Sequence, residues 1–95
     1  PMRQTHILAI VNEALTNVVR HANARRVVVH LSRKGTLLQI IVKDDGNGMP
    51  HNPQAGYGLR NMRDRARLIG GQLSIVSAGR HGTVITLDAP WEDET

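Results

Sequence analysis

Lys43-Asp44-Asp45-Gly46-Asn47-Gly48-Met49 and, after a short loop, Gly56-Tyr57-Gly58-Leu59-Arg60-Asn61-Met62 decide how this chain reads. An apolar run ends in two adjacent acids and a glycine-punctuated turn, and a second glycine pair opens a helical pattern. Glycines let the backbone take positive φ and approach a ligand closely, and the start of a helix offers unpaired N–H groups to an anion. The first half places a carboxylate at a strand end, and the second offers a cradle for phosphate. Together they suit a nucleotide.

Upstream of the acids the sequence alternates. Leu37 to Asp44 sets Leu38, Ile40 and Val42 on one face together with Asp44, and Gln39 and Lys43 on the other. A carboxylate closing a core-facing row is costly unless a donor meets it. Asp44 is therefore the acid expected to act, while Asp45 points to solvent or to its own turn. Lys34-Gly35 predicts a hairpin turn, and Arg26 to Arg33 is the paired strand, with Val27, Val29 and Leu31 on one side and Val28, His30 and Ser32 on the other.

Before the hairpin, Thr5 to Ala22 carries a helical period, with Ile7, Leu8, Val11, Ala14, Leu15, Val18, Val19 and Ala22 on one broad arc. Thr5 is the expected N-cap, and Asn23-Ala24 closes the helix. The opposite side presents Glu13, Asn17 and His21 in line, with Arg20 beside them. An asparagine in mid-helix has poor propensity, and no Lys–Glu ladder accompanies it, so this line is unusual for a solvated face.

Downstream, Tyr57 or Gly58 begins a second helix whose apolar stripe is Leu59, Met62, Ala66 and Ile69; Arg60, Arg63, Asp64 and Arg67 face outward. Gly70-Gly71 stops it. Leu73 to Ser77 and Thr83 to Ala89 read as an antiparallel pair, and Pro90 ends the last strand. The order helix, strand, strand, helix, strand, strand predicts an α+β fold, a two-layer α/β sandwich with a mixed sheet covered on one face by helices. No βαβ alternation and no GxxxxGK[ST] occurs, so doubly wound and Walker-type folds are excluded.

Composition narrows the class further. The 95 residues form one domain, 1–95, with no cysteine, so disulfides and thiolate metal sites are excluded. Phenylalanine is absent, and the core must be aliphatic. The lack of disulfides fits a cytoplasmic location, no apolar run reaches membrane-spanning length, and no signal-peptide pattern opens the chain. The abrupt start is expected of a piece of a longer protein. The net charge of +4 comes from scattered basic residues with no interleaved aromatics, so no nucleic acid is expected. The excess is read as a solvated surface, with a face for an acidic protein partner as the next reading.

These pieces resemble a known family. Asn12-Glu13-Ala14-Leu15-Thr16-Asn17-Val18-Val19-Arg20-His21-Ala22 is similar to the N box of sensor histidine kinases, Asp44-Asp45-Gly46-Asn47-Gly48 to their G1 box, and Gly56-Tyr57-Gly58-Leu59-Arg60-Asn61-Met62 to their G2 box. The resemblance covers about Gln4 to Pro90 and is nearest to short-lid kinases of the nitrate-sensor type. It implies the Bergerat ATP-binding fold, with ATP and Mg²⁺ as cofactors. By that resemblance Asp44 would accept from the adenine amine, Gly46 and Gly48 would shape the turn beside the base, and Asn17 would coordinate Mg²⁺. Glu13 would reach the metal through water or act catalytically by polarising a water, and Arg20 and His21 would approach the phosphates. Gly56, Tyr57, Gly58 and Leu59 would wrap the phosphates, and Thr83 would sit near the nucleotide.

The same resemblance implies the catalytic part of a protein-histidine kinase, which passes the γ-phosphoryl of ATP to a histidine on a separate dimerisation domain for relay to a response regulator. His6, His30, His51 and His81 fit no phosphoacceptor motif, so the chain alone is not expected to phosphorylate itself. It is expected to be monomeric, within a homodimeric full protein. Alternatives on the same fold are an ATP-gated conformational module and an anti-sigma-factor serine kinase.

Overall fold

Two helices and four strands make up most of the chain in the computed structural model, which describes residues 2–48, 58–77 and 82–91. The first helix, α1 (Met2–Asn17), runs into one turn of wider π-helix, Val18–Ala22. Asn23 ends it at φ 49°, a left-handed conformation that asparagine tolerates better than most residues. The closure is as expected, but the start is not. The helix begins at Met2, so Thr5 lies inside it and is not the N-cap.

The rotation of α1 also differs from the expected arc. Ile7, Ile10 and Ala14 form its buried row, and Asn17 continues the row at 4% exposure, whereas Leu8 and Val19 are exposed. Apolar residues occupy most of the helix circumference, so an apolar arc can be drawn at more than one rotation. Asn17 thus belongs to the core-facing line and not to a solvent-facing polar stripe.

The hairpin joins β1 (Val27–Lys34) to β2 (Leu37–Asp44) through residues 35–36, with Gly35 at φ 58°. Beyond β2 come α2 (Leu59–Leu68), β3 (Gln72–Ser77) and β4 (Thr83–Pro90). The C-terminal end of α2 is closed by two nested bonds: Gly71 N–H donates to Ala66 O at 2.8 Å and Gly70 N–H to Arg67 O at 3.0 Å, with Gly70 at φ 71°. That is the glycine stop the sequence predicted.

Among the described residues the sheet order is β1-β2-β4-β3, and every pairing is antiparallel. The expected mixed sheet is therefore corrected to an antiparallel one. β2 and β3 do run parallel, as a crossover through α2 requires. However, β4 inserts between them and opposes both.

Both helices lie on one face. The core comprises Ile7, Ile10 and Ala14 of α1, Ile40 and Val42 of β2, Met62 and Ala66 of α2 with Ile69 after it, and Ile85, Leu87 and Ala89 of β4. It is wholly aliphatic apart from Met62. Arg65 Nη1 donates to Nδ1 of His6 at 3.0 Å and ties the two helices together. Arg3 Nη1 donates to Pro90 O at 2.8 Å, and Trp91 N–H to Thr36 O at 2.6 Å, fixing the end of β4 to α1 and to the hairpin turn. β1 lies beyond the helices: Val27, Val29 and Leu31 share a face with Asp44, Val42 and Ile40 but remain 40–63% exposed. No helix among the described residues is long and apolar enough to cross a membrane.

Candidate functional site

Asp44 is the last residue of β2 and, at 6% exposure, is buried where the core-facing row meets the sheet end. Its Oδ1 accepts the Gly46 N–H at 2.8 Å, closing a local turn that bends the chain off the strand. Gly48 follows at φ 75°. On the other side Gly82, at φ 86°, passes directly over the end of β2. A Cβ placed there would overlap the Asp44 backbone oxygen and lie 3.0 Å from its Oδ1. Only glycine fits. Thr83, 4% exposed, begins β4, and the last registered pair is Lys43 with Val84, so Thr83 comes next in line beside Asp44. A buried carboxylate, a glycine turn and a buried hydroxyl residue thus share one end of the sheet.

Asp45 aligns a third segment with that end. Its Oδ1 accepts the N–H groups of Arg25 and Arg26, each at 2.9 Å, and its own N–H donates to Arg26 O at 3.3 Å. Its carboxyl is held below the ordinary value, first by the Arg26 N–H, against an opposing contribution from desolvation, and further by the Arg25 N–H. The side chain is exposed as the sequence suggested, but it clamps the segment that leads from α1 into β1. Sequence reasoning assigned Asp45 no such function; the available signal was its position directly after Asp44, whose strand partner is Val27 at the start of β1.

The clamp brings the C-terminal end of α1 towards the same sheet end, and with it Asn17. The Oδ1 of Asn17 is buried and accepts no hydrogen bond from the described residues, while the residue is held by another of its contacts. Glu13, one turn earlier and half-buried, reaches across to the start of α2. Its carboxylate occupies the space a side chain at Gly58 would take. Gly58 is left-handed at φ 68°, caps α2 and accepts the Met62 N–H at 3.0 Å. A carboxylate beside a helix N-terminus is favourable, since the helix dipole is positive there.

The remaining expected positions divide. Arg20 and His21 sit exposed on the π-turn, off the line of Glu13 and Asn17 because that turn is wider than an α-turn. Leu59 opens α2 with its side chain packed on the core. Gly46 is buried under the Asp44 turn. Gly56, Tyr57, His51 and His81 lie outside the described residues. His6 is engaged by Arg65, and His30 is exposed on β1. No group of three or more His, Cys, Asp or Glu side chains gathers among the described residues. The donors near the helix end are an amide oxygen and a carboxylate, hard ligands suited to a hard cation that brings other oxygens with it.

Residues 2–93 match the model of a family described as histidine kinase-, DNA gyrase B-, and HSP90-like ATPase. The sensor protein VraS of Staphylococcus aureus is 38% identical over 93 residues, 96% of this chain and 27% of that protein. The sensor histidine kinase LiaS of Bacillus subtilis is 39% identical over 89 residues, 92% of this chain and 25% of that protein. The chain thus spans about a quarter of the length of these relatives. Among solved structures, it resembles the histidine kinase domain of a blue-light activated kinase from Erythrobacter litoralis, with a TM-score of 0.80 and 29% identity, covering 94% of this chain and 45% of that one. The ATP binding domain of PrrB from Mycobacterium tuberculosis shares the fold at a TM-score of 0.78 and 23% identity, covering 94% of this chain and 69% of that one.

Proposed function

Because the chain belongs to the histidine kinase-, DNA gyrase B-, and HSP90-like ATPase family, we propose that it binds ATP at the sheet end marked by Asp44, as the catalytic part of a sensor histidine kinase. In the longer protein it would present the γ-phosphoryl to a histidine on a dimerisation domain, for relay to a response regulator. The names of its relatives, a sensor protein and a sensor histidine kinase, support this reading over a gyrase-like module or a serine kinase.

The observation that carries it is the burial of Asp44. A carboxylate has two oxygens and about four acceptor sites, and the Gly46 N–H fills one of them. An exocyclic amine is the kind of donor that would offset the remaining cost of burial. Gly82 lets the start of β4 pack directly against the Asp44 backbone, and Thr83, buried next to it, would supply a hydroxyl beside the base. The N–H groups that open α2 after Gly58 would meet phosphate oxygens, with Gly56 and Tyr57 leading into them. Glu13 lies where those phosphates would arrive, so it would turn aside as they bind and hold a water near them. Arg20 and His21 would approach the phosphates from the π-turn. Mg²⁺, held by Asn17 through its buried Oδ1 and by Glu13 through water, would offset the phosphate charge.

A thermal melt tests the reading. ATP with Mg²⁺ at about 100 times its dissociation constant stabilises by about 2.7 kcal/mol, which for a domain of this size is roughly 10 °C or more. GTP should shift the parent far less. Asp44→Asn keeps the shape but changes the acceptor pattern, and should melt near the unliganded parent with no response to ATP. If GTP shifts the parent as far as ATP, or Asp44→Asn responds as the parent does, the base is not read by Asp44. Transfer of labelled phosphate to the isolated dimerisation domain of the same kinase then separates a histidine kinase from a serine kinase.

A further inference from the structure

β3 is one edge of the sheet and pairs, among the described residues, only with β4. Edge strands expose unpaired N–H and C=O groups, and native proteins usually guard them with charges, proline or bulges. The opposite edge, β1, carries His30, Arg33 and Lys34. β3 reads Gln-Leu-Ser-Ile-Val-Ser, with no charge, proline or glycine, and Val76 is 57% exposed. An unguarded edge of this kind is a template for a further strand.

The neighbouring helix supplies the charge that the strand lacks. Arg60, Arg63 and Arg67 are exposed at i, i+3 and i+7 along one side of α2, while Arg65 on another side turns to His6 of α1. Arg63 and Arg67 line a cavity of about 370 Å³ with Gln72, Leu73, Ser74 and Asp88. The acid in that cavity, Asp88, is engaged by Gln39, whose Nε2 donates to its Oδ1 at 2.9 Å.

We propose that this edge docks an extended acidic segment of a partner protein, which adds to β3 as a fifth strand and sets carboxylates against Arg63 and Arg67. The spacings agree. Acids two residues apart on a strand point the same way at about 6.7 Å, and arginines four apart on a helix are separated along its axis by about 6 Å. Main-chain bonds to the edge supply affinity, and the arginines choose the sequence, since guanidinium groups match carboxylates two-pronged. A second copy of this chain would bring one arginine row against another across a two-fold axis. Nucleic acid would satisfy the arginines but leave the strand edge unpaired. The chain also has only Tyr57 and Trp91 on which bases could stack.

The test is a fluorescent ten-residue peptide alternating Glu and Thr, titrated against the 95-residue chain, with amide chemical shifts followed in parallel. Saturable binding is expected, with shifts concentrated at residues 72–76. Arg63→Glu with Arg67→Glu, in a protein that melts like the parent, should weaken binding at least about tenfold. A peptide of equal charge with proline at alternate positions should lose binding, because it cannot pair with the edge. Unchanged affinity in the double variant, equal binding of the proline peptide, shifts elsewhere, or no binding at millimolar peptide would each overturn the proposal. So would tighter binding of a ten-base single-stranded DNA, or a gain in peptide affinity on truncating the chain after Trp91, which would assign the edge to its own acidic tail.

Discussion

Gly82→Ala is the sharpest perturbation the structure offers, because one added methyl group meets backbone that cannot rotate away. Gly82 lies at φ 86°, and alanine in a left-handed conformation costs about 1–2 kcal/mol. The added carbon would also overlap the Asp44 backbone oxygen and stand 2.8 Å from its carbonyl carbon, at the end of a strand paired on both sides. Overpacking of this kind adds about 1–3 kcal/mol. The sum, about 2–5 kcal/mol, is a large part of the roughly 5–15 kcal/mol that holds a domain together. Gly35→Ala is the matched control: Gly35 has φ 58° and nothing within 4 Å of an added Cβ, so it carries the conformational strain alone. Urea unfolding should place the Gly82→Ala midpoint roughly 1–2 M below that of Gly35→Ala, at an m-value of about 1–1.5 kcal/mol/M. Equal midpoints would mean that the strand end yields freely. The account of Asp44 as a carboxylate fixed between two turns would then fail.

Other elements give independent checks. The folded-state pKa of Asp45 is depressed from 3.8, chiefly by the Arg26 N–H, so its contribution is present above that value and lost as pH falls through the lower folded value. Melts between about pH 5 and about pH 2 should therefore fall more steeply for the parent than for Asp45→Asn, and parallel profiles would remove Asp45 from the clamp. Arg65→Ala should cost about 0.5–1.5 kcal/mol in urea, and His6→Ala added to it should cost less than the two singly; additive losses would mean that the 3.0 Å contact does no stabilising. Met62→Ala, at a core position 1% exposed, should cost about 2–5 kcal/mol, and a loss under about 1 kcal/mol would mean that the α2 stripe is not packed as described.

The sheet was legible where one physical constraint acted alone. Alternation along a strand is fixed by the pleat, so Ile40, Val42 and Asp44 on one buried face followed from spacing. The stripe of α2 was equally clear, because arginines mark its wet side unambiguously and Gly70-Gly71 can hardly be anything but its stop. α1 offered no such contrast. Apolar side chains wrap most of its circumference, and the π-turn at Val18–Ala22 breaks the period from which Glu13, Asn17 and His21 were aligned. The insertion of β4 between β2 and β3 is a choice among strand pairings that alternation within each strand does not encode. Nor does alternation reveal that β1 lies at an edge, where Val29 and Leu31 face the helical side yet remain exposed.

The candidate site shows the same division between residue type and placement. Asp44, Asn17, Glu13 and Thr83 stand out in the sequence as polar groups where apolar or indifferent ones would serve, and each lies at or near the end of an element. Bringing those ends together depends on contacts that link distant parts of the chain: Asp45 to Arg25 and Arg26, Gly82 over Asp44, and Glu13 against Gly58. None of these involves an apolar side chain, so no hydrophobic pattern announces them. Two of the three depend on a glycine whose missing Cβ leaves room for an oxygen. The glycines of such a site therefore matter at least as much for what they allow beside them as for the turns they form. Gly82, which meets backbone and not a side chain that can turn aside, would bear substitution poorly even in a chain that never met a ligand.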